Sequence, residues 1–217
     1  MANSTFKKWF LVILLAVFKS MYLREVFYYP WNEFMGVNNT ESGLLMSWLG
    51  FVGIVAGSIA GVIVDKINNT RLVITLTFMG VGVVTLWQST APGLATQYVI
   101  IGLLSFLAND FFLVSMVKAV RLVGDSNDQG KLFGFLESGR GVAGSIISAI
   151  AVAIFSMAAS EIDGIGTVLY CYGFLYIVLG VFMWIFLPKN EDRNEEQASD
   201  KKEGEKISSK VFLIVSS

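Results

Sequence analysis

Long uncharged stretches alternate with short polar breaks along this chain of 217 residues. An α-helix needs about 20 mostly apolar residues to cross the hydrocarbon of a bilayer. Three stretches meet that length directly, at residues 42–64, 141–160 and 164–188. The uncharged run 72–109 is too long for one helix, and the segment Ser89-Thr90-Ala91-Pro92-Gly93 divides it into two because these residues favour a turn.

The amino-terminal apolar run, from Trp9 to Phe18, is interrupted by Lys19 and extended by residues 21–29. No small-residue cleavage site of the signal-peptide type follows it, so we expect an uncleaved first helix. The pattern therefore predicts an all-α membrane protein whose residues 1–188 form a bundle of six transmembrane helices. The aromatic cluster at residues 27–31 fits an anchor at the membrane interface.

Composition supports the membrane assignment and excludes several classes of protein. The chain is 54% hydrophobic and 15% charged, with a mean hydropathy of +0.64. A net charge of −1 argues against a nucleic-acid partner, which would need a concentrated basic patch. One cysteine, Cys171, allows no intrachain disulfide or multi-cysteine metal site. Histidine is absent, which removes the commonest metal ligand and leaves carboxylates as the acidic groups able to relay protons.

Enzyme chemistry is not predicted either, since the chain has no nucleophile elbow, HExxH or phosphate-binding GxxxxGK[ST] motif. We expect neither a cofactor nor a metal. Orientation follows from the basic residues, which mark the cytoplasmic side of a bacterial inner (plasma) membrane. Under the six-helix pattern, all of the following fall on one side, with both termini: Lys7, Lys8, Lys66, Arg71, Lys118, Arg121, Lys131, Lys189 and Arg193. The opposite loops, predicted at about residues 30–41, 89–95 and 157–166, carry only the acids Glu33, Glu41, Glu161 and Asp163 as charged residues.

The stretch GVIVDKINNTR, residues 61–71, carries an acid that orientation does not require. An acid directly after an apolar helix suggests a specific partner. The stretch resembles the signature of the major facilitator superfamily, G-x-x-x-D-[RK]-x-G-x-[RK]-[RK], between the second and third helices. The matching positions are Gly61, Asp65, Lys66 and Arg71, and the departures are Asn68 for glycine and Thr70 for a basic residue.

The resemblance implies a gating role for this turn, as a latch between two six-helix halves in one of their alternating states. Asp65 would then face the amino-terminal end of a helix in the second half, while Lys66 and Arg71 would pair with nearby acids. The residues before the turn agree with a packing role. Gly53, Gly57 and Gly61 recur every four residues, so they line one helix face that another backbone can approach closely.

A second resemblance covers residues 118–141. Some bacterial carriers of the same superfamily show K-x-x-R, Q-G-x-x-F-G and E-x-x-R-G, and are commonly grouped with organic-anion, sugar-phosphate or nitrate carriers. The corresponding residues here are Lys118, Arg121, Gln129, Gly130, Phe133, Gly134, Glu137, Arg140 and Gly141. Glu137 and Arg140 are three residues apart on a helix, so an internal ion pair is as good an explanation as a gating or substrate contact.

Charges deep in the membrane are the best candidates for substrate contacts, because each costs on the order of 2.5 to 3.5 kcal/mol at mid-helix. Asp110 lies near the middle of the fourth helix, and Arg121 follows it almost in line about three turns later. Lys118 sits to one side, so the three can share one face on a polar cavity. The alternative is that Asp110 bonds a neighbouring helix.

The first helix adds Lys19, Tyr22 and Arg24 to the candidate substrate contacts. Lys19 and Tyr22 share a face, whereas Arg24 points elsewhere and could pair with Glu25 or reach the outer interface. A buried cation on this helix suits a carboxylate, phosphate or sulfonate. Alternatively, Lys19 snorkels to the interface or is neutralised by Asp110.

Residues 189–210 are polar and mixed in charge, which predicts a cytoplasmic linker, and residues 211–217 look like a truncated start of a seventh helix. The chain thus resembles the amino-terminal half of a secondary carrier. The expected function is transport of a small solute, an organic anion, by alternating access, with the lipid bilayer and a second six-helix half as partners. Pairing with itself, or a non-transporting scaffold that binds another protein, are the alternatives.

Overall fold

The structure is a computed structural model that describes residues 2–17, 23–67, 69–123 and 128–187. Within those ranges every regular element is helical. The α-helices are α1 (Ala2–Ala16), α2 (Leu23–Val26), α3 (Tyr28–Met35), α4 (Asn39–Lys66), α5 (Thr70–Gln88), α6 (Leu94–Leu104), α7 (Phe112–Val123), α8 (Gln129–Ser156) and α9 (Glu161–Phe186). A π-helical segment, Ser105–Phe111, joins α6 to α7 and makes one continuous rod of them.

Five helices are long and apolar enough to cross a membrane, and they confirm the all-α membrane fold. They are α4, α5, the α6–α7 rod, α8 and α9. The first predicted crossing is described as α1 and α2, and residues 18–22 between them lie outside the described chain. A single continuous first crossing, and hence the count of six, stays a prediction. The linker 189–210 and the segment 211–217 also lie outside the described residues.

The outer loop predicted for residues 30–41 is instead largely helical, because α3 ends at Met35 and α4 begins at Asn39. Gly36 ends α3 with a positive φ of 63°, a conformation that glycine adopts without a steric penalty. The interface anchor predicted for residues 27–31 is wrong for Phe27 and Trp31, which are buried inside the bundle. Tyr29 alone of these fits the prediction clearly, since it is 76% exposed.

Polar side chains set where the long helices begin. The backbone N–H of Glu41 donates to Asn38 Oδ1 at 2.9 Å, and the Asn38 N–H donates back to Glu41 Oε2 at 2.9 Å. This capping box satisfies backbone donors that the first turn of α4 leaves free. Asn69 caps α5 by accepting from the Leu72 N–H at 3.0 Å, and Ser160 caps α9 by accepting from the Asp163 N–H at 3.1 Å.

The most extensive helix pair in the described chain is α5 with α9. Its backbones approach so closely that a Cβ added at Gly82 would lie 2.8 Å from the carbonyl oxygen of Gly173. A Cβ at Gly173 would likewise lie 2.9 Å from the carbonyl oxygen of Gly82. Only glycine fits at such a crossing, and close packing of this kind is what holds helices together in lipid.

Two apolar clusters fill the bundle around that pair. One contains Leu11, Phe78, Phe112, Leu136 and Tyr176, and therefore ties α1, α5, α7, α8 and α9 together. The other lies nearer the amino-terminal end of α9 and joins it to α3, α4 and α6, through Trp31, Leu45, Ile101, Ile165 and Tyr172. The core is thus continuous from one end of α9 to the other, which positions the polar residues described below.

Burial is uneven among the five long helices. In the most apolar window of each, 56% of α5 and 44% of α9 are buried, against 17% of α4 and 11% of α8. The outward faces of α4 and α8 carry large apolar side chains, including Ile54, which is 77% exposed, and Val142, which is 62% exposed. Two of the five long helices therefore have most of their surface uncovered by this chain.

We expect Gly82→Ala to destabilise the bundle by about 1–3 kcal/mol, because the new methyl group would press on backbone atoms of α9 that have no side-chain freedom. Thermal unfolding in detergent micelles, followed by circular dichroism and by monodispersity in gel filtration, would measure it. The matched control is Gly141→Ala on α8, where an added Cβ has no neighbour within 4 Å. Equal stability of the two variants would contradict the close crossing.

Candidate functional site

The turn that carries the 61–71 motif is very short in the structure. Helix α4 ends at Lys66 and α5 begins at Thr70, so the motif lies between the second and third predicted crossings, as its pattern indicates. Gly61 faces open space, since an added Cβ would meet nothing within 4 Å. The side chain of Asp65 and residue Asn68 lie outside the described part of the chain, and Lys66 is exposed.

Arg71 stacks on an aromatic ring. Its guanidinium carbon lies 4.3 Å from the ring centroid of Trp184, near the carboxyl-terminal end of α9. Its Nε is buried without a hydrogen-bond partner among the described residues. A cation over the face of an indole is stabilised by the ring quadrupole. The motif arginine therefore joins the turn to the end of α9, a contact that no pattern in the sequence predicts.

Lys118 binds the end of α4. Its Nζ donates to the carbonyl oxygen of Val64 at 2.8 Å. Carbonyl groups in the last turn of a helix lack intrahelical donors, and the negative end of the helix dipole attracts a cation there. Lys118 thereby fixes the carboxyl-terminal end of α4 against α7, immediately before the motif turn.

Asp110 lies within the π-helical segment and faces α4. A Cβ added at Gly57 would lie 3.2 Å from Asp110 Oδ1, so the carboxyl group rests against the glycine face of α4. Its other oxygen, Oδ2, is buried and has no hydrogen-bond partner. One turn away, Gly53 packs on Ser105, whose hydroxyl donates to the carbonyl oxygen of Leu49 at 2.8 Å. Two of the three predicted packing glycines thus contact this rod, whereas a Cβ added at Gly61 would meet nothing within 4 Å.

The residues of the second motif lie on α7 and α8. Gln129 Nε2 donates to the carbonyl oxygen of Arg121 at 3.4 Å, which links the two helices across the intervening loop. Arg121 itself is exposed at the end of its helix. On α8, Arg140 Nη1 lies 3.0 Å from Glu137 Oε1. The internal ion pair considered from their spacing is therefore present.

Lys19 and Tyr22 lie outside the described residues, so their predicted substrate contact is untested. Arg24 is described, and its contacts in the described chain are with residues other than Glu25. Its Nε donates to Ser42 Oγ at 2.7 Å, and its guanidinium carbon lies 4.8 Å from the ring centroid of Tyr28. Two helices, α3 and α4, thus hold the guanidinium in one orientation.

Arg24 also lines a cavity of about 140 Å³. The walls are mostly apolar, with a few polar side chains among them. The lining includes Leu23, Arg24, Glu25, Trp31, Met46, Leu49, Thr85, Gln88, Ile101, Leu104 and Leu169. Ligand sites typically combine an apolar wall with a few fixed polar groups, and this cavity has that arrangement. Asp110 and Arg121 are absent from its lining, so the structure does not bring all the candidate substrate residues to one place.

A second, more open cavity of about 410 Å³ lies between α1 and α8. Its lining is apolar apart from Ser138, and includes Ile13, Phe135, Val142 and Ile146. Among the residues searched, no group of three or more acids, cysteines or histidines is placed to hold a metal ion. The candidate functional groups of the described chain therefore lie at three places: the cavity lined by Arg24, the contact of Asp110 with α4, and the 61–71 turn.

Comparison with known proteins identifies the family of this helical bundle. A model of the Major Facilitator Superfamily matches residues 5–217, nearly the whole chain. The chain belongs to the major facilitator superfamily. This membership agrees with the multi-pass membrane fold, and it explains why a glycine-rich helix runs directly into a charged turn.

Two curated relatives come from Escherichia coli (strain K12). The chain is 31% identical to the inner membrane protein YqcE over 211 residues, which cover 92% of this chain and 49% of the relative. It is 28% identical to the inner membrane protein YihN over 193 residues, which cover 87% of this chain and 46% of the relative. The chain therefore spans about half the length of the curated relatives it matches.

The stacking of Arg71 on Trp184 should contribute a measurable coupling energy. We expect a double-mutant cycle of Arg71→Gln and Trp184→Leu to give about 0.5–1 kcal/mol of interaction in the free energy of unfolding. Reversible unfolding in mixed micelles would measure it. The control cycle pairs Lys66→Gln with Trp184→Leu, and it should be additive because no described contact joins Lys66 to that ring. Additivity in both cycles would contradict the stacking.

Proposed function

We propose that this chain acts as the amino-terminal half of a secondary carrier that moves a small organic anion by alternating access. Carriers of this superfamily are built from two six-helix halves with the substrate site between them. Membership of the family, together with a match to about half of each relative's length, supports this proposal. The second half would complete the transport path.

The uncovered faces of α4 and α8 carry the proposal. In a membrane protein an apolar face can contact lipid, but these two helices also present the small residues that allow close approach of another backbone. Gly61 on α4 and Gly134 and Gly141 on α8 all have open space where a Cβ would lie. A second six-helix half that packs along α4 and α8 would cover both faces at once.

The 61–71 turn would then act at the edge of that interface. In the proposed complete carrier, Gly61 gives the second half close access, Asp65 faces the amino-terminal end of one of its helices, and Lys66 lies exposed at the same level. Arg71 is already held by Trp184. We propose that this turn, with the Glu137–Arg140 pair on α8, is the latch that holds one of the alternating states.

An anionic substrate is favoured by the cations near the predicted pathway. Arg24 is held rigidly by Ser42 and Tyr28 at the rim of an apolar cavity, which suits a ligand with a carboxylate at one end and an apolar body. The further contacts proposed are Lys19 and Tyr22 from the sequence, with Arg121 as a cytoplasmic attraction for the anion. Location in a bacterial inner membrane, with both termini cytoplasmic, is proposed from the basic residues and from the relatives' names.

The test has two steps. The DNA that follows the codon for Ser217 should encode six further apolar spans, in frame or as an adjacent gene. The two halves, co-expressed and reconstituted in vesicles, should then take up labelled organic anions, whereas this chain alone should not. A purified, correctly folded pair that transports no member of an organic-anion panel would overturn the carrier assignment and favour the scaffold.

Replacing Arg24 by glutamine should weaken anion uptake at subsaturating concentration by about tenfold or more, because a charge-assisted contact contributes roughly 1.5–3 kcal/mol. Uptake rates measured across a substrate series would show a raised KM. The matched control is Lys131→Gln, which also removes one positive charge but from an exposed side chain paired with Asp128 at 3.9 Å. Equal KM in both variants would remove Arg24 from the binding site.

A further inference from the structure

The carboxyl group of Asp110 lies in the interface between α4 and the α6–α7 rod. Among the described contacts that join these helices, three end on backbone carbonyl oxygens. Trp48 Nε1 donates to Tyr98 O at 2.9 Å, Ser105 Oγ to Leu49 O at 2.8 Å, and Lys118 Nζ to Val64 O at 2.8 Å. Asp110 Oδ2 is buried in the same interface and has no hydrogen-bond partner among the described residues.

The opposing surface offers this carboxyl group no donor. It rests on Gly57, which has no side chain, and backbone N–H groups in the middle of α4 are already used within the helix. The nearest hydroxyl on α4, that of Ser58, donates to its own helix at Ile54 O. A carboxylate in this position would keep an uncompensated negative charge against apolar surface, which is strongly unfavourable.

Within the described part of the chain, which leaves out Lys19, charged groups on the neighbouring elements lie well away along their helices. The π-helical segment packs on α4, α5, α6 and α7. Their ionisable side chains are Glu41, Asp65 and Lys66 on α4, Arg71 on α5, Tyr98 on α6, and Lys118 and Arg121 on α7. Asp65 is eight residues from Gly57 and Lys118 is eight residues from Asp110, a separation of about 12 Å along a helix axis. Lys118 and Arg71 moreover hold defined contacts elsewhere.

We propose that Asp110 is a reversible proton-binding site, protonated while α4 rests against the π-helical segment. The carboxylic acid is neutral and can lie against Gly57, whereas release of its proton to water leaves a carboxylate that favours separation of the two helices. The residue is only partly buried within this chain, and in this proposal its open side is the route by which the proton exchanges with water. With no histidine in the chain, a carboxyl group is the natural carrier of such a proton.

The local backbone fits a site that changes state. π-Helical turns are rare and occur often at functional sites, because the extra residue weakens the regular hydrogen-bond ladder. Here the π-helical segment carries both Ser105, which ties it to α4, and Asp110, whose charge would loosen it. The role of this proton as the coupling ion of transport rests on the proposed function. The binding of the proton by Asp110 is independent of that function.

Infrared difference spectroscopy on the purified chain in lipid nanodiscs tests the binding site without transport. We expect a carboxylic-acid C=O band at neutral pH in the native chain that is lost in Asp110→Asn. The control, Asp163→Asn, alters an exposed acid at the start of α9 and should leave the band unchanged. If no band depends on Asp110 at neutral pH, the side chain is ionised and the proposal is wrong.

Stability gives a second readout that does not depend on one spectrum. A proton bound in the folded state and released on unfolding makes stability fall as the pH rises. The thermal midpoint of the native chain should therefore decrease with rising pH around neutrality, and Asp110→Asn, which resembles the protonated acid, should remove most of that slope. A variant that keeps the native slope would overturn the assignment.

Coupling is tested separately in the reconstituted carrier. Anion uptake driven by an inward proton gradient should be accelerated several-fold in the native carrier, while Asp110→Asn should transport at a rate independent of the gradient. Gradient-independent uptake in the native carrier would overturn proton coupling but leave the spectroscopic site intact. Absence of any uptake would count against the proposed function alone.

Discussion

The bundle depends on one close approach, the crossing of α5 and α9 at Gly82 and Gly173. Lipid provides no hydrophobic drive for two helices to associate, so their attraction comes from packing, and packing is strongest where backbones nearly touch. Each glycine lies so near the opposing carbonyl oxygen that a methyl group at either position would overlap it. The α6–α7 rod and α1 then pack against this pair, and α4 and α8 are left at the outside.

That arrangement gives α4 a special position. It has little of its surface in the core, and polar contacts fasten it at several levels: Arg24 binds Ser42 near its start, Ser105 binds the Leu49 carbonyl, and Lys118 binds the Val64 carbonyl at its end. Hydrogen bonds of this kind are directional and few, so they can exchange partners more readily than a packed apolar interface. The turn between α4 and α5 begins at Ile67, three residues after the last of these contacts.

The sequence predicted much of this fold because its strongest signals are long and redundant. Twenty apolar residues bounded by charges identify a membrane helix with little help from context, and the turn at residues 89–93 was found by its proline and glycine. The helix over residues 28–35 was missed because two tyrosines, a tryptophan and a proline after charged residues also fit an interfacial loop. The glycines of the closest helix crossing were not predicted. Gly53, Gly57 and Gly61 show a regular spacing in the sequence, whereas Gly82 and Gly173 belong to different helices and have no local pattern.

The candidate site was less predictable, for a related reason. Spacing along one helix shows which residues share a face, and it rightly grouped Glu137 with Arg140. It cannot show what lies opposite. Nothing in the sequence pairs Arg71 with Trp184 or places Asp110 against Gly57, because each contact joins segments more than 50 residues apart. The π-helical turn is equally invisible, since its composition is that of any apolar helix.

These contacts together suggest how one helix could connect two functions. Asp110 and Lys118 lie on the same rod, and both contact α4, one at the middle and one at the carboxyl-terminal end. A negative charge at Asp110 would disfavour its contact with Gly57, which has no side chain that could offer a partner, while Lys118 would still hold the last turn of α4. Helix α4 would then pivot about its carboxyl-terminal end rather than slide as a whole. Because the motif turn follows directly, such a pivot would change the angle at which the turn meets any half packed on α4.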